Sequence, residues 1–128
     1  MALYQHELFT INLNRVIALN QEEQDPTAVT IRTDDQRKIE IATESQQAAA
    51  EFLNDFADQW EKSVGPLLRH DKYVFLTSAI YSIQAQADEV YINFRDHSVS
   101  FAVSDAEQAL KLLSELSRGW QLATPKEP

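Results

Sequence analysis

The sequence predicts an α+β fold in which antiparallel strands are followed by an amphipathic helix, and this arrangement occurs twice. Between Val90 and Val103, two runs of alternating apolar and polar residues flank a polar turn, as in a β-hairpin. Apolar residues then recur at helical spacing up to Trp120. A weaker copy of the whole pattern lies between Val29 and Trp60.

The hairpin of the second half is the clearest element. Its strands are residues 90–94 and 99–103, and Arg95-Asp96-His97-Ser98 between them are residue types that favour a turn. Because side chains alternate between the two faces of a strand, one face is apolar and the other polar. The apolar face carries Val90, Ile92, Phe94, Val99, Phe101 and Val103, and the polar face carries Tyr91, Asn93, Arg95, Ser98, Ser100 and Ala102.

The second helix is predicted to begin at a capping box. The Ser104 hydroxyl can accept from a free backbone N–H, and Glu107 can reach back to the cap. Gly119 can adopt a left-handed conformation and is predicted to end the helix, with Trp120 just beyond it and a loose tail over 121–128. The apolar stripe predicted to face the core is Ala106, Ala109, Leu110, Leu113 and Leu116.

The first half opens with a polar lead-in, Met1 to Glu7, for which no strand is predicted. Alternating or short apolar runs then predict three or four strands before the first helix, because residues 15–20 form either a short buried strand or the continuation of the first strand. These strands are residues 8–13, 15–20, 29–33 and 39–43, separated by a charged loop at 21–26 and a turn at 34–37.

The first helix has its own capping candidate, Thr43 with Gln46, and Gly65-Pro66 is predicted to end it. Residues 67–71 are predicted to link the two halves. The apolar face of this helix would carry Ala49, Phe52, Leu53, Phe56 and Trp60. Strands at 73–76 and 79–83 and a loop at 84–89 are predicted to precede the second hairpin.

Constant offsets support an internal repeat. Phe9 and Tyr73 lie 64 residues apart, as do several other pairs, whereas Ile41 and Phe101 lie 60 apart, and the change falls in loops. We therefore predict a single domain over 1–128, with one pseudo-repeat over about 8–64 and a second over about 72–120. The alternative is that two unrelated α+β segments share a generic pattern.

Composition restricts the classes of function. The net charge is −9, with 12 acidic and 5 basic residues in 1–64 but 8 and 6 in 65–128, so nucleic acid and anionic lipid are repelled at long range. The absence of cysteine excludes disulfides and thiolate chemistry. With no signal peptide and no long apolar run, we expect a cytoplasmic protein without a membrane span.

The sequence contains no catalytic constellation. His6, His70 and His97 lie in predicted loops without ligands at metal-binding spacing, and Asp34-Asp35 supplies too few oxygens for a cation. Both glycines stand at predicted helix ends, so no phosphate-binding loop can be drawn. We therefore expect no enzyme activity, no catalytic residues, no metal site and no cofactor.

The polar face of the second hairpin is the candidate binding surface. The hairpin contributes Tyr91, Asn93, Arg95, Ser98 and Ser100 to this surface. The preceding strand adds Tyr81, and an outward face of the first half adds Arg32 and Lys38. Because the face is nearly uncharged, we expect an adaptor that contacts a protein partner or itself, in the simplest case as a homodimer.

Two other interpretations of that surface stay open. Tyrosines and an arginine on an open sheet could stack single-stranded DNA or RNA. The duplicated strand-rich unit resembles, in topology alone, the single-stranded-DNA-binding fold of transcriptional coactivators and plant Whirly proteins, although no motif of those families is present. The face could also be an exposed sheet surface without a partner, since tyrosine is favoured in strands.

Overall fold

The computed structural model describes residues 2–123, and its elements confirm the α+β class with antiparallel sheets and two helices. The strands are β1 (Leu3–Gln5), β2 (Thr10–Asn12), β3 (Val16–Gln21), β4 (Ala28–Thr33), β5 (Lys38–Ala42), β6 (Leu67–His70), β7 (Tyr73–Leu76), β8 (Ser82–Gln86), β9 (Glu89–Asn93) and β10 (Ser98–Ala102). The α-helices are α1 (Gln46–Ser63) and α2 (Ala106–Ala123), and one-turn 3-10 helices span Leu13–Arg15 and Thr77–Ala79.

The strands form three antiparallel sheets. The largest has the order β5-β4-β3-β7-β6, so the two halves of the chain meet in its centre, where β3 pairs with β7. A three-stranded sheet has the order β10-β9-β8, and β1 pairs with β2 in a separate hairpin. The strands β3, β4 and β5 form one meander, and β8, β9 and β10 form the other. In each meander, strands that follow one another in sequence are neighbours in the sheet, as is usual for antiparallel strands joined by short turns.

The first hydrophobic core lies between α1, one face of the five-stranded sheet and the β1–β2 hairpin. Helix α1 presents Ala49, Leu53, Phe56, Ala57 and Trp60 to this core. Its cap differs from the predicted capping box, because the Ser45 hydroxyl accepts from Ala48 N at 3.0 Å. The Thr43 hydroxyl instead donates to the Thr27 carbonyl oxygen at 2.6 Å.

The second core lies on the other face of the five-stranded sheet, beneath the three-stranded sheet and α2. Phe75 of β7 is fully buried there, with its ring centroid 6.1 Å from that of Phe94 and 6.2 Å from that of Phe101. The molecule thus has three layers: α1, the five-stranded sheet, and a layer shared by the three-stranded sheet and α2.

Helix α2 begins and ends differently from the prediction. Asp105, not Ser104, caps it, since its carboxylate accepts from Gln108 N at 2.9 Å. The helix continues through Gly119 to Ala123, so Gly119 does not end it. A Cβ at Gly119 would lie 2.7 Å from Leu68 Cδ1, so the glycine serves the close approach of α2 to β6.

The buried stripe of α2 is rotated from the predicted one. Ala109 and Leu116 are buried, and Leu112 and Trp120 pack beside them, whereas Leu113 is only half-buried. The predicted core positions Ala106 and Leu110 are exposed. The reason is that α2 contacts β6 as well as β8 and β9, which turns its buried side toward both sheets. Residues 124–128 of the predicted tail lie outside the described part, and 121–123 are helical.

Two strands fall where none was predicted. β1 lies in the polar lead-in, and β6 lies in the predicted link at 67–71. The strand predicted at 79–83 is displaced to β8, because Thr77–Ala79 forms a 3-10 turn, and the loop predicted at 84–89 shortens to a turn at Ala87-Asp88. Within residues 2–123, no helix is long and apolar enough to cross a membrane.

Candidate binding surface

The outward side of the three-stranded sheet, here called the outer face, brings together four of the predicted binding residues: Tyr91, Asn93, Ser98 and Ser100. Ile83, Val90, Ile92, Val99 and Phe101 point the other way into the second core, as strand alternation requires. The complete outer face consists of Ser82, Gln84, Gln86, Glu89, Tyr91, Asn93, Ser98, Ser100 and Ala102.

Asn93 links the three strands of the outer face. Its Nδ2 donates to Ser82 Oγ at 3.0 Å and to Gln84 Oε1 at 3.3 Å on β8. Its Oδ1 accepts from Ser98 Oγ at 2.6 Å on β10. These neutral hydrogen bonds order one end of the face without adding charge.

Tyr91 stands in the middle of the outer face, directly between Gln84 and Ser100. Its hydroxyl donates to a carboxylate oxygen of Glu89, two residues away on the same strand. That hydrogen bond is the main reason the pKa of Tyr91 is raised above its usual value. The ring therefore lies beside an anionic group, which is an unfavourable setting for a phosphate backbone.

Arg95 and Tyr81 lie at the hairpin end of the sheet, where they line a pocket of about 290 Å³. Tyr81 is 72% exposed, and Arg95 forms no ion pair with any residue in 2–123. Acidic groups share the pocket, because Asp34 and Asp96 also line it. The full lining is Ile17, Asp34, Ser78, Ala79, Tyr81, Phe94, Arg95, Asp96 and His97.

One hydrogen bond beside the pocket joins the two halves of the chain, because Gln36 Nε2 donates to the Asp96 carbonyl oxygen at 3.1 Å. A second contact lies within the first half, where Arg15 Nη1 is 3.0 Å from Asp34 Oδ2. The His97 ring packs edge-on against Phe94, and its buried Nε2 has no hydrogen-bond partner among the described residues. Of the charged side chains that line the pocket, Asp34 alone forms an ion pair with another residue in 2–123.

Arg32 and Lys38 do not lie on the outer face, so the structure does not bring them together with the residues of the second hairpin. They stand opposite each other on β4 and β5 of the five-stranded sheet. Arg32 is half-buried, with an Nε that has no hydrogen-bond partner within residues 2–123, and it shares a sheet face with Ala18 and Phe75 of the second core. Lys38 is exposed, and its Nζ lies 3.7 Å from Glu40 Oε1.

Sequence reasoning did not identify which strand edges are open. β8 and β10 each pair only with β9 among the described strands, and β2 pairs only with β1. The hydrogen bonds from Phe94 N to His97 O and from Val103 N to Asp88 O show that the even-numbered residues of β9 bond to β10. The odd-numbered residues of β9 then bond to the even-numbered residues of β8. Ile83 and Ala85 of β8 therefore direct their N–H and C=O groups to the open edge.

The same alternation applies to β2. Leu13 N donates to the Ala2 carbonyl oxygen at 2.8 Å, and His6 and Phe9 exchange two backbone hydrogen bonds. These bonds commit the odd-numbered residues of the strand to β1, so Thr10 directs its N–H and C=O to the open edge. The offset of 64 residues was the one sequence signal that pointed to the equivalence of these edges.

Within residues 2–123, no group of three or more His, Asp or Glu side chains is placed so that it could hold a metal ion. His6 accepts from Leu8 N at 3.2 Å through its Nδ1, and His70 packs edge-on against Phe101. Of the acidic pair in the first turn, Asp34 bonds Arg15, while the Thr33 hydroxyl donates to Asp35 and holds the pKa of that carboxyl below its usual value.

Comparison with models of known protein families, with curated proteins and with solved structures finds no match to this chain. The topological resemblance to single-stranded-DNA-binding folds therefore brings no residue role with it.

Proposed function

We propose that this chain is a non-enzymatic adaptor that acts through protein–protein contacts and associates with copies of itself. The observation that supports this most directly is the three-stranded sheet, whose two edges are open within residues 2–123 and whose outer face is almost uncharged. Unpaired N–H and C=O groups at a strand edge are a ready template for another strand. We place this activity in the cytoplasm, where a chain without cysteines needs no oxidising environment.

Edge strands usually carry charges that prevent such pairing. The β5 edge of the five-stranded sheet follows that rule, because Lys38 and Glu40 alternate with apolar residues along β5. β8 and β10, by contrast, contain no charged residue over 82–86 and 98–102. On a chain of net charge −9, two uncharged edges favour contact over repulsion at this one sheet.

Single-stranded nucleic acid is the alternative partner, and one observation favours it. The exposed ring of Tyr81 and the Arg95 guanidinium line the same pocket, so a base and its phosphate could be held together there. Three features weigh against it: Asp34 and Asp96 line that pocket, Glu89 holds the Tyr91 hydroxyl, and Arg32 is half-buried elsewhere.

Sedimentation velocity over a wide range of protein concentration tests the proposal. We expect the mean mass to rise above the 14.6 kDa of one chain as concentration increases. The rise should persist in moderate salt, because the contact surface is uncharged and screening has little to act on. A mass of one chain at every concentration contradicts self-association.

A parallel titration with labelled single-stranded DNA and RNA separates the alternative. Under the adaptor proposal no binding occurs even at low salt, where electrostatic attraction is strongest. Micromolar binding that weakens with salt, and that Tyr91→Ala or Arg95→Ala reduces, would instead support the nucleic-acid alternative. Lys38→Ala serves as a matched control, since Lys38 is an exposed cation away from the outer face.

A further inference from the structure

The two halves of the described chain have the same order of elements. Each consists of a hairpin, a 3-10 turn, a three-stranded meander and an α-helix. The 3-10 turns begin at Leu13 and Thr77, which are 64 residues apart, the offset that also relates Phe9 to Tyr73. Every element of one half therefore has a counterpart in the other.

A single strand pair, here called the joint, connects the sheets of the two halves. β3, the first strand of one meander, pairs with β7, the second strand of the other half's hairpin. Leu19 stands opposite Val74, and Gln21 N donates to the Lys72 carbonyl oxygen at 3.0 Å. The joint uses the edge that each strand leaves free within its own half.

The counterparts of those two strands are β8 and β2, whose corresponding edges are open within residues 2–123. At the offset of 64, Ile83 and Ala85 match Leu19 and Gln21, and Thr10 matches Val74. These are the residues whose backbone groups point to the open edges. The chain thus carries both sides of a second joint.

Side-chain exposure marks the same edges. Leu3 of the first hairpin is 51% exposed, whereas its counterpart Leu67 in the second hairpin is 5% exposed. Tyr81, just before β8, is 72% exposed, whereas its counterpart Ile17 is 6% exposed. Large apolar side chains that are buried around the joint are therefore left in solvent around β2 and β8.

β8 and β2 do not meet within one chain. The β1–β2 hairpin packs in the first core with α1, and β8 packs in the second core with α2. The five-stranded sheet lies between these cores. Only a second copy can bring a β2 edge to β8.

We propose that β8 of one copy pairs antiparallel with β2 of a second copy, in the register of the joint. Ile83 would exchange two backbone hydrogen bonds with Thr10 of the second copy, and Ala85 N would donate to the Leu8 carbonyl oxygen, as Gln21 does to Lys72. The proposal deepens the proposed self-association and rests on it. Because the contact joins different surfaces, it is heterologous and leaves a free edge at each end.

Cysteine pairing tests the register, because the chain has no cysteine of its own. Directly opposed residues have Cα atoms about 5.5 Å apart, within reach of a disulfide. Thr10→Cys and Ile83→Cys should each remain uncross-linked alone, give a covalent dimer when mixed, and give a ladder of multimers when combined in one chain. Cross-linking of Ile83→Cys alone would show that β8 pairs with β8 and would overturn the proposal.

A pair of proline variants tests the edge without new chemistry. Ala85→Pro removes an N–H that faces the open edge of β8 and leaves the bonds between β8 and β9 intact. Ala102→Pro does the same on β10, the other edge of this sheet. We expect Ala85→Pro to weaken self-association about tenfold, as the loss of edge hydrogen bonds implies, and Ala102→Pro to leave it unchanged.

The outcomes separate this inference from the proposed function. If the wild type associates while Ala85→Pro matches it and the mixed cysteine variants stay monomeric, the edge pairing is wrong and the adaptor function stands. If the wild type never exceeds the mass of one chain, the proposed self-association itself is wrong. Circular dichroism of each variant confirms that its fold is retained.

Discussion

The joint between β3 and β7 and the open edges of β8 and β2 are corresponding parts of the two halves, yet one is the centre of a sheet and the other is exposed. The hairpin strands explain the difference. β7 is apolar on both sides, with Val74 in the first core and Phe75 in the second. β2 is apolar on one side only, with Ile11 buried and Thr10 exposed. A strand enters the centre of a sheet when both of its faces can be covered.

The largest effect is expected from proline at the matched hairpin positions. Val74→Pro removes a backbone donor from the joint at a buried central strand and should cost about 3 kcal/mol or more of the free energy of unfolding. Thr10→Pro removes the corresponding donor at an open edge and should cost less than about 1 kcal/mol in the isolated chain. Urea titration of both variants at low protein concentration measures the difference.

Equal losses in the two variants would contradict the comparison. A large loss in Thr10→Pro at low concentration would mean that the β2 edge is already paired in the isolated chain. A small loss in Val74→Pro would mean that the joint contributes little to holding the halves together.

The local patterns predicted the fold class but not the pairing of the halves. Alternation located β9 and β10, and helical spacing located both helices. β1 and β6 were missed because each is short and is defined by its partner strand: β1 has three residues, and β6 has adjacent leucines that enter different cores. The helix caps were misplaced because Thr43 and Ser104 lie among other residues that can also cap, namely Ser45 and Asp105.

Local patterns also predicted part of the candidate surface. Alternation correctly places Tyr91, Asn93, Ser98 and Ser100 on one face, because neighbours in an antiparallel pair follow from the turn between them. It fails for Arg32, because a strand's own pattern does not show that a second sheet will cover its polar face. The open edges depend on strand order, which is not local in sequence.

A pH titration probes the joint through Tyr73, whose counterpart in the first hairpin is Phe9. Burial and the neighbouring carboxylates of Glu23 and Glu22 raise the pKa of Tyr73 to about 12, and the hydroxyl donates to Glu23 at 3.3 Å. Since the unfolded chain loses this proton near the ordinary tyrosine pKa of 10.0, the free energy of unfolding should fall as pH rises from there to about 12.

Tyr73→Phe should flatten that fall and leave the pH dependence below it unchanged. The residual slope should come in part from Tyr4 in the first core, where burial and Asp55 raise the pKa to about 12. Tyr4→Phe is therefore the matched variant, and the double variant should flatten the curve further. Denaturant titrations across this range give the slope, and an unchanged slope in the double variant would refute the assignment.

The smallest effect on the isolated chain is expected from Leu3, the exposed counterpart of the buried Leu67. Because half of its side chain is already in solvent, Leu3→Gln should change the free energy of unfolding by no more than about 0.5 kcal/mol. If a second copy covers the hairpin, however, the lost apolar contact should raise the Kd of self-association about fivefold. Leu122→Gln, at an exposed leucine of α2, is the control and should alter neither quantity. A loss of association equal in both variants would point to general surface hydrophobicity, whereas a loss confined to Leu3→Gln would mean that the first hairpin is covered in the assembly as the second is within the chain.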